Sequence, residues 1–167
     1  MKKTRRKLGI AFTLIEALLA AIILAMAITA ITMPFTAGAQ SQANDAKRTL
    51  AVSLAQDMME EILSKPFADP GGVQKSGPET GEITRSLFDN MDDYDGYKEA
   101  EKQIVDSDGQ LVNDQAAVGL SRSVTATYVY VAGQDTNQPS TFLRVTVEVS
   151  YKGTPVVTLS RLVFANR

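Results

Sequence analysis

Phe12-Thr13-Leu14-Ile15-Glu16-Ala17-Leu18-Leu19-Ala20 opens an apolar run that lasts to Phe35, interrupted only by Thr13, Glu16, Thr29, Thr32 and Pro34. From Ala17 to Asn44 there is no charged side chain, and those 28 positions would make a helix of about 42 Å at about 1.5 Å per residue. A hydrocarbon core about 30 Å thick needs about 20 residues, so the run reads as a membrane span. Lys2, Lys3, Arg5, Arg6 and Lys7 precede it. By the positive-inside rule they hold the N-terminus in the cytoplasm and send the rest of the chain across the membrane.

A basic stretch before an apolar one is also how a secretory signal begins, in which case the cut would follow the run, at Ala37-Gly38-Ala39. Signal-peptide apolar cores are shorter, about 7–15 residues, which favours a span that is kept. Glu16 is what plain anchoring leaves unexplained. A carboxylate at membrane depth costs about 3 kcal/mol on insertion scales, and such a residue is read as functional with a partner to be found. The bland alternative places Glu16 at the cytoplasmic interface, in reach of water.

The run Ala11-Phe12-Thr13-Leu14-Ile15-Glu16-Ala17-Leu18-Leu19-Ala20 resembles the cleavage and methylation signal of type IV prepilins and type II secretion pseudopilins. In that family a small residue, usually glycine, precedes the cut, the aromatic after it is N-methylated, and a glutamate follows four residues on. Phe12 and Glu16 match. Ala11 stands where glycine is usual, and as the next smallest side chain it implies slower cleavage. The resemblance implies removal of residues 1–11 by a prepilin peptidase and insertion in the bacterial inner membrane. It further implies assembly with other pilin or pseudopilin subunits on an inner-membrane platform.

Cleavage after Ala11 would create a cationic amine on Phe12 at the start of an apolar helix. Glu16 lies one turn away, and in a filament it can meet the Phe12 amine of a neighbouring subunit. Buried ion pairs often add little over an apolar match, yet leaving one partner alone is costly, so such a pair sets register more than affinity. Glu16 is therefore expected to be an assembly residue.

Beyond Pro34 the pattern is helical again. Leu50, Leu54, Met58 and Ile62 recur at i+4, with Ala51, Ala55, Met59 and Leu63 beside them, a stripe expected to pack on a sheet. Pro66 lacks an amide donor and restrains Lys65, so the helix should end near residue 65. A kink or break is expected at Pro34; in many pilins the proline falls one position earlier, at what is Met33 here. The stretch from Leu54 to Ile62 also looks like the helix of minor pilins and I-type pseudopilins.

Residues 67–119 turn polar and rich in Gly and Asp, with turn signals at Asp69-Pro70-Gly71-Gly72 and Gly77-Pro78. Asp92, Asp93 and Asp95 concentrate charge there. An EF-hand fails, because taking Gly96 as the sixth loop position puts Met91 first and Lys102 twelfth. A solvated, turn-forming loop is the expectation, with a non-EF calcium site as the alternative.

The last third alternates. Leu143, Val145, Val147, Val149 and Tyr151 interleave with Arg144, Thr146, Glu148, Ser150 and Lys152, as in a strand with one wet face. Ser123–Val131 and Val156–Phe164 also read as strands, connected through residues 133–139 and 152–155. The fold class expected is α+β and pilin-like: a long N-terminal helix, half membrane-spanning over 12–35 and half amphipathic. The amphipathic half would pack on an antiparallel sheet over 120–165, within a head of residues 36–167.

Composition narrows the function. Histidine and cysteine are both absent, which removes thiol nucleophiles, Cys/His metal sites and the usual general base. No phosphate-binding or dinucleotide fingerprint and no nucleophile elbow is present. No enzyme activity, no cofactor and no metal site is therefore expected. After Ala11 there are 12 basic and 19 acidic residues, a formal −7, which argues against nucleic acid as the main partner. The function expected is a structural, minor subunit of a type IV pilus or secretion pseudopilus, single-pass, with its head on the periplasmic or exterior side. The alternative is an envelope-anchored module that binds calcium or a partner and uses the signal only for export.

Overall fold

The computed structural model describes residues 13–67, 69, 75–136 and 138–165. The chain divides into two compact units, one up to Ala43 and one from Asn44 onward. Helix α1 spans Leu14–Leu63. Among the described residues, three short 3₁₀ turns, at Arg85–Leu87, Asp92–Tyr94 and Gln115–Ala117, are interspersed with strands β1 (Lys98–Glu99), β2 (Leu120–Val129), β3 (Phe142–Tyr151) and β4 (Thr154–Phe164). The strands pair in that order, all antiparallel. The layout is α+β.

In the unit from Asn44 onward the expected stripe is the buried one. Ala51, Leu54, Ala55, Met58, Met59 and Ile62 are buried, Leu50 is partly covered and Leu63 is exposed. They face Leu120, Val124 and Ala126 of β2 and Leu143, Val145, Val147 and Val149 of β3 in one apolar cluster. Register explains the match, since Val124 lies opposite Val147 and Ala126 opposite Val145, so the inward faces of both strands coincide. Each large aliphatic buried this way contributes about 1.5–3 kcal/mol.

Four expectations need correction. Of the kink or break expected at Pro34, the break is absent, since Pro34 lies inside a continuous α1. One proline removes one helical hydrogen bond, a penalty of about 3 kcal/mol that the cooperative turns on either side outweigh. Strand β2 begins at Leu120 rather than Ser123 and ends at Val129. The connection from β3 to β4 is only Lys152-Gly153, both at positive φ (49° and 78°), the geometry of a type I′ hairpin turn. Thr154 and Pro155 already pair in β4, where proline is tolerated because β4 is an edge strand.

The fourth correction concerns the acidic stretch, which is not a solvated loop. Asn90, Asp92, Asp93 and Tyr94 are fully buried, and Phe88, Met91 and Ile104 join the core. The rings of Phe88, Tyr94 and Tyr97 meet edge to face, with centroids 5.0 to 6.3 Å apart. Apolar side chains at i and i+3 carry this segment into the core and take its aspartates with them.

Candidate functional site

Among the described residues, the unit up to Ala43 consists of the first part of α1, apolar as far as Phe35. Thr13 caps it: its hydroxyl accepts from the Glu16 N–H at 3.3 Å and its carbonyl from the Ala17 N–H at 3.1 Å. Thr13 and Glu16 thus stand at the first and last positions of a capping-box sequence. The side chains of Leu14, Ile15, Leu18, Leu19, Ile22, Ile23, Leu24, Met26, Ile28, Ile31, Met33 and Phe35 are all exposed. The hydroxyls of Thr32 and Thr36 turn inward onto the carbonyls of Ile28 (3.0 Å) and Met33 (2.9 Å). From Leu14 to Phe35 the surface left to the surroundings is thereby almost purely hydrocarbon.

Glu16 is the exception. Its carboxylate is exposed in the first turn of α1 and has no partner among the described residues. A negative charge there is favoured by the helix dipole. Ala11 and Phe12, the residues expected to flank the cut, lie outside the described residues.

The three aspartates singled out in the sequence go to three different tasks. Asp92 Oδ2 accepts from the Tyr128 hydroxyl at 2.8 Å. Asp93 Oδ2 accepts the main-chain N–H groups of Asp89 (2.8 Å) and Asn90 (3.0 Å). Asp95 Oδ1 accepts from the Ala126 N–H at 2.9 Å, while Gly96 and Tyr97 exchange main-chain bonds with Val124. Asp95 therefore extends the outer edge of β2 and takes no part in an acidic site. Burial pushes the Asp92 carboxyl up to about 6, with the Asp93 charge adding to it and the Tyr128 hydrogen bond opposing.

The acids that do converge are Glu79, Glu82 and Asp93, each bringing one oxygen within 4.8 Å of the others. Sequence reasoning passed over the two glutamates. The Glu79 carboxyl is pushed up to about 7 by burial first, then by the Glu82 and Asp93 carboxylates beside it. Among the described residues these three could hold a metal ion.

A second charged cluster is balanced. Arg85 pairs with both Glu61 and Glu99, and Arg122 with Glu99 at 2.6 Å. The hydroxyls of Tyr94 and Tyr97 donate to Glu61 (2.7 Å) and Glu99 (2.9 Å). Burial alone would raise the Glu61 carboxyl, but the hydrogen bonds from Arg85 and Tyr94 and the charges of Arg85 and Arg122 outweigh it and hold it below 4.5. Two guanidinium groups against two carboxylates cancel, so this cluster fastens the loop to helix and sheet.

The helix is long and apolar enough to cross a membrane. No protein-family model, curated protein or solved structure matches the chain.

Proposed function

We propose that the chain is a structural, non-enzymatic subunit of a type IV pilus or type II secretion pseudopilus, of the minor or I-type kind. It is held in the inner membrane by residues 12–35, processed after Ala11 and assembled through its N-terminal helix. The observation that carries this reading is the contrast along α1. Residues 51 to 62 bury one stripe on the sheet, whereas every large apolar side chain from Leu14 to Phe35 is exposed around one carboxylate, Glu16, which has no partner among the described residues. In a span that served only as an anchor, that acid would do no more than complement the N-terminal end of the helix. A helix that packs against copies and relatives of itself gives it a further use, because the processed Phe12 amine of a neighbour supplies the missing charge.

The helix-on-sheet head supports the same reading, since pilin-like heads share that layout. The test is co-purification: filaments sheared from cells should carry this subunit together with a major pilin or pseudopilin. Membrane fractions that retain all of it, with none in the filaments, would favour the alternative of an anchored binding module.

A further inference from the structure

We propose that Glu79, Glu82 and Asp93 form a binding site for a hard divalent cation, calcium foremost. The site is independent of the membrane helix. Acidic clusters are common without a bound ion, but burial sets this one apart. Asp93 is fully buried. Its Oδ2 takes two main-chain N–H groups, while Oδ1 has no donor among the described residues. Glu79 Oε1 is likewise buried without a donor among the described residues. Native structures rarely leave buried polar atoms unpaired, and each orphan in one calls for an explanation such as an ion. Two such carboxylate oxygens in one cluster offer a place that a positively charged, oxygen-seeking ligand would fill in competition with a proton on Glu79.

The ligand positions are set by main-chain bonds as well as by side chains. Glu79 N–H donates to Glu82 Oε2 at 2.9 Å and Glu82 N–H to the Glu79 carbonyl at 3.1 Å, closing a turn. Gly77 N–H donates to the Asp92 carbonyl at 2.9 Å, which fastens that turn to the segment bearing Asp93. Three carboxylates with no nitrogen or sulfur donor among them select a hard cation. Ligands from two irregular segments suit the flexible six- to eight-fold oxygen shell of calcium better than the near-ideal octahedron of magnesium. Water and second carboxylate oxygens complete such a shell.

The test uses the full chain in detergent, stripped with EDTA and titrated with calcium chloride at fixed ionic strength. Titration to about 10 mM exceeds the about 10⁻⁴–10⁻³ M range of weak calcium modules. Calorimetry should show one saturable site, and thermal unfolding followed by circular dichroism should shift upward. Magnesium should do less at equal concentration. Loss of supporting groups around metal sites already costs about 10–100-fold in affinity, so Glu79→Gln or Glu82→Gln should lose at least about tenfold. In EDTA at about pH 8.5, where Glu79 is ionised, Glu79→Gln should unfold at a higher temperature than the wild type, because a like charge has left the cluster; in calcium the order should reverse. No saturable binding to the wild type would overturn the proposal, whether or not the variants fold. So would calcium raising wild type and Glu79→Gln equally, which is charge screening alone.

Discussion

Arg122 of β2 donates through Nη1 to the main-chain carbonyl of Leu54 in α1, at 2.8 Å. The same guanidinium holds Glu99 through Nε at 2.7 Å and the Val105 carbonyl through Nη2 at 2.8 Å. One buried side chain thus joins the helix, the sheet and the loop between them. Arg122→Ala should destabilise the head by about 3–5 kcal/mol, because it leaves the buried Glu99 carboxylate short of its partner. Urea unfolding measures this, and Arg122→Met combined with Glu99→Leu should recover most of the loss. A cost below about 1 kcal/mol for Arg122→Ala would show the pair to be incidental.

Glu61 gives a pH signature. Its folded carboxyl sits below the ordinary 4.5, so its contribution is fully present above that value and fades as pH falls through the lowered folded one. Glu61→Gln should therefore cost about 1.5–3 kcal/mol at neutral pH, the range of hydrogen bonds to charged groups. The gap between wild type and variant should close in acid. Parallel stability curves from pH 7 to pH 3 would contradict the assignment.

The core of the head lies wholly in the unit from Asn44 onward. Residues 36–167 produced without the apolar segment should form a soluble monomer that unfolds cooperatively. Sedimentation and a single thermal transition check both parts. A molten or aggregating product would show that the head depends on the membrane or on neighbours.

What the sequence disclosed and what it hid follow from the range of the forces involved. The Leu54, Met58 and Ile62 stripe and the Leu143 to Val149 alternation are periodic, and both were legible because burial on one face imposes the period directly. The two residues of β1 are too few to show a period. Asp92 and Asp93 read as solvated by composition. The counter-signal was Phe88, Met91 and Tyr94, apolar at every third position, which drag the aspartates inside. Arg122 stands at an inward position between Leu120 and Val124, and a charge there announces a buried partner without saying which. Glu79 and Glu82 meet Asp93 only through the folded chain, so no local pattern marks them.

Glu16 tests assembly. Glu16→Ala should leave cleavage and insertion intact, since removing the acid lowers the insertion cost by about 3 kcal/mol. Incorporation into filaments should fall, because the amine of a neighbouring Phe12 then faces apolar surroundings unpaired. Glu16→Gln keeps the shape and removes the charge, which separates attraction from packing. Wild-type amounts of both variants in sheared filaments would reduce Glu16 to an interfacial residue.

The most direct measurement is the mass and N-terminal sequence of the mature protein isolated from cell membranes. The account predicts a chain that begins at Phe12, carries an N-methyl group and keeps the whole apolar segment, with Ala11→Leu leaving the uncut precursor in the membrane. A mature N-terminus near Gln40 would mean that the apolar run is a discarded signal peptide, and the assignment to a helix-assembled filament would be wrong.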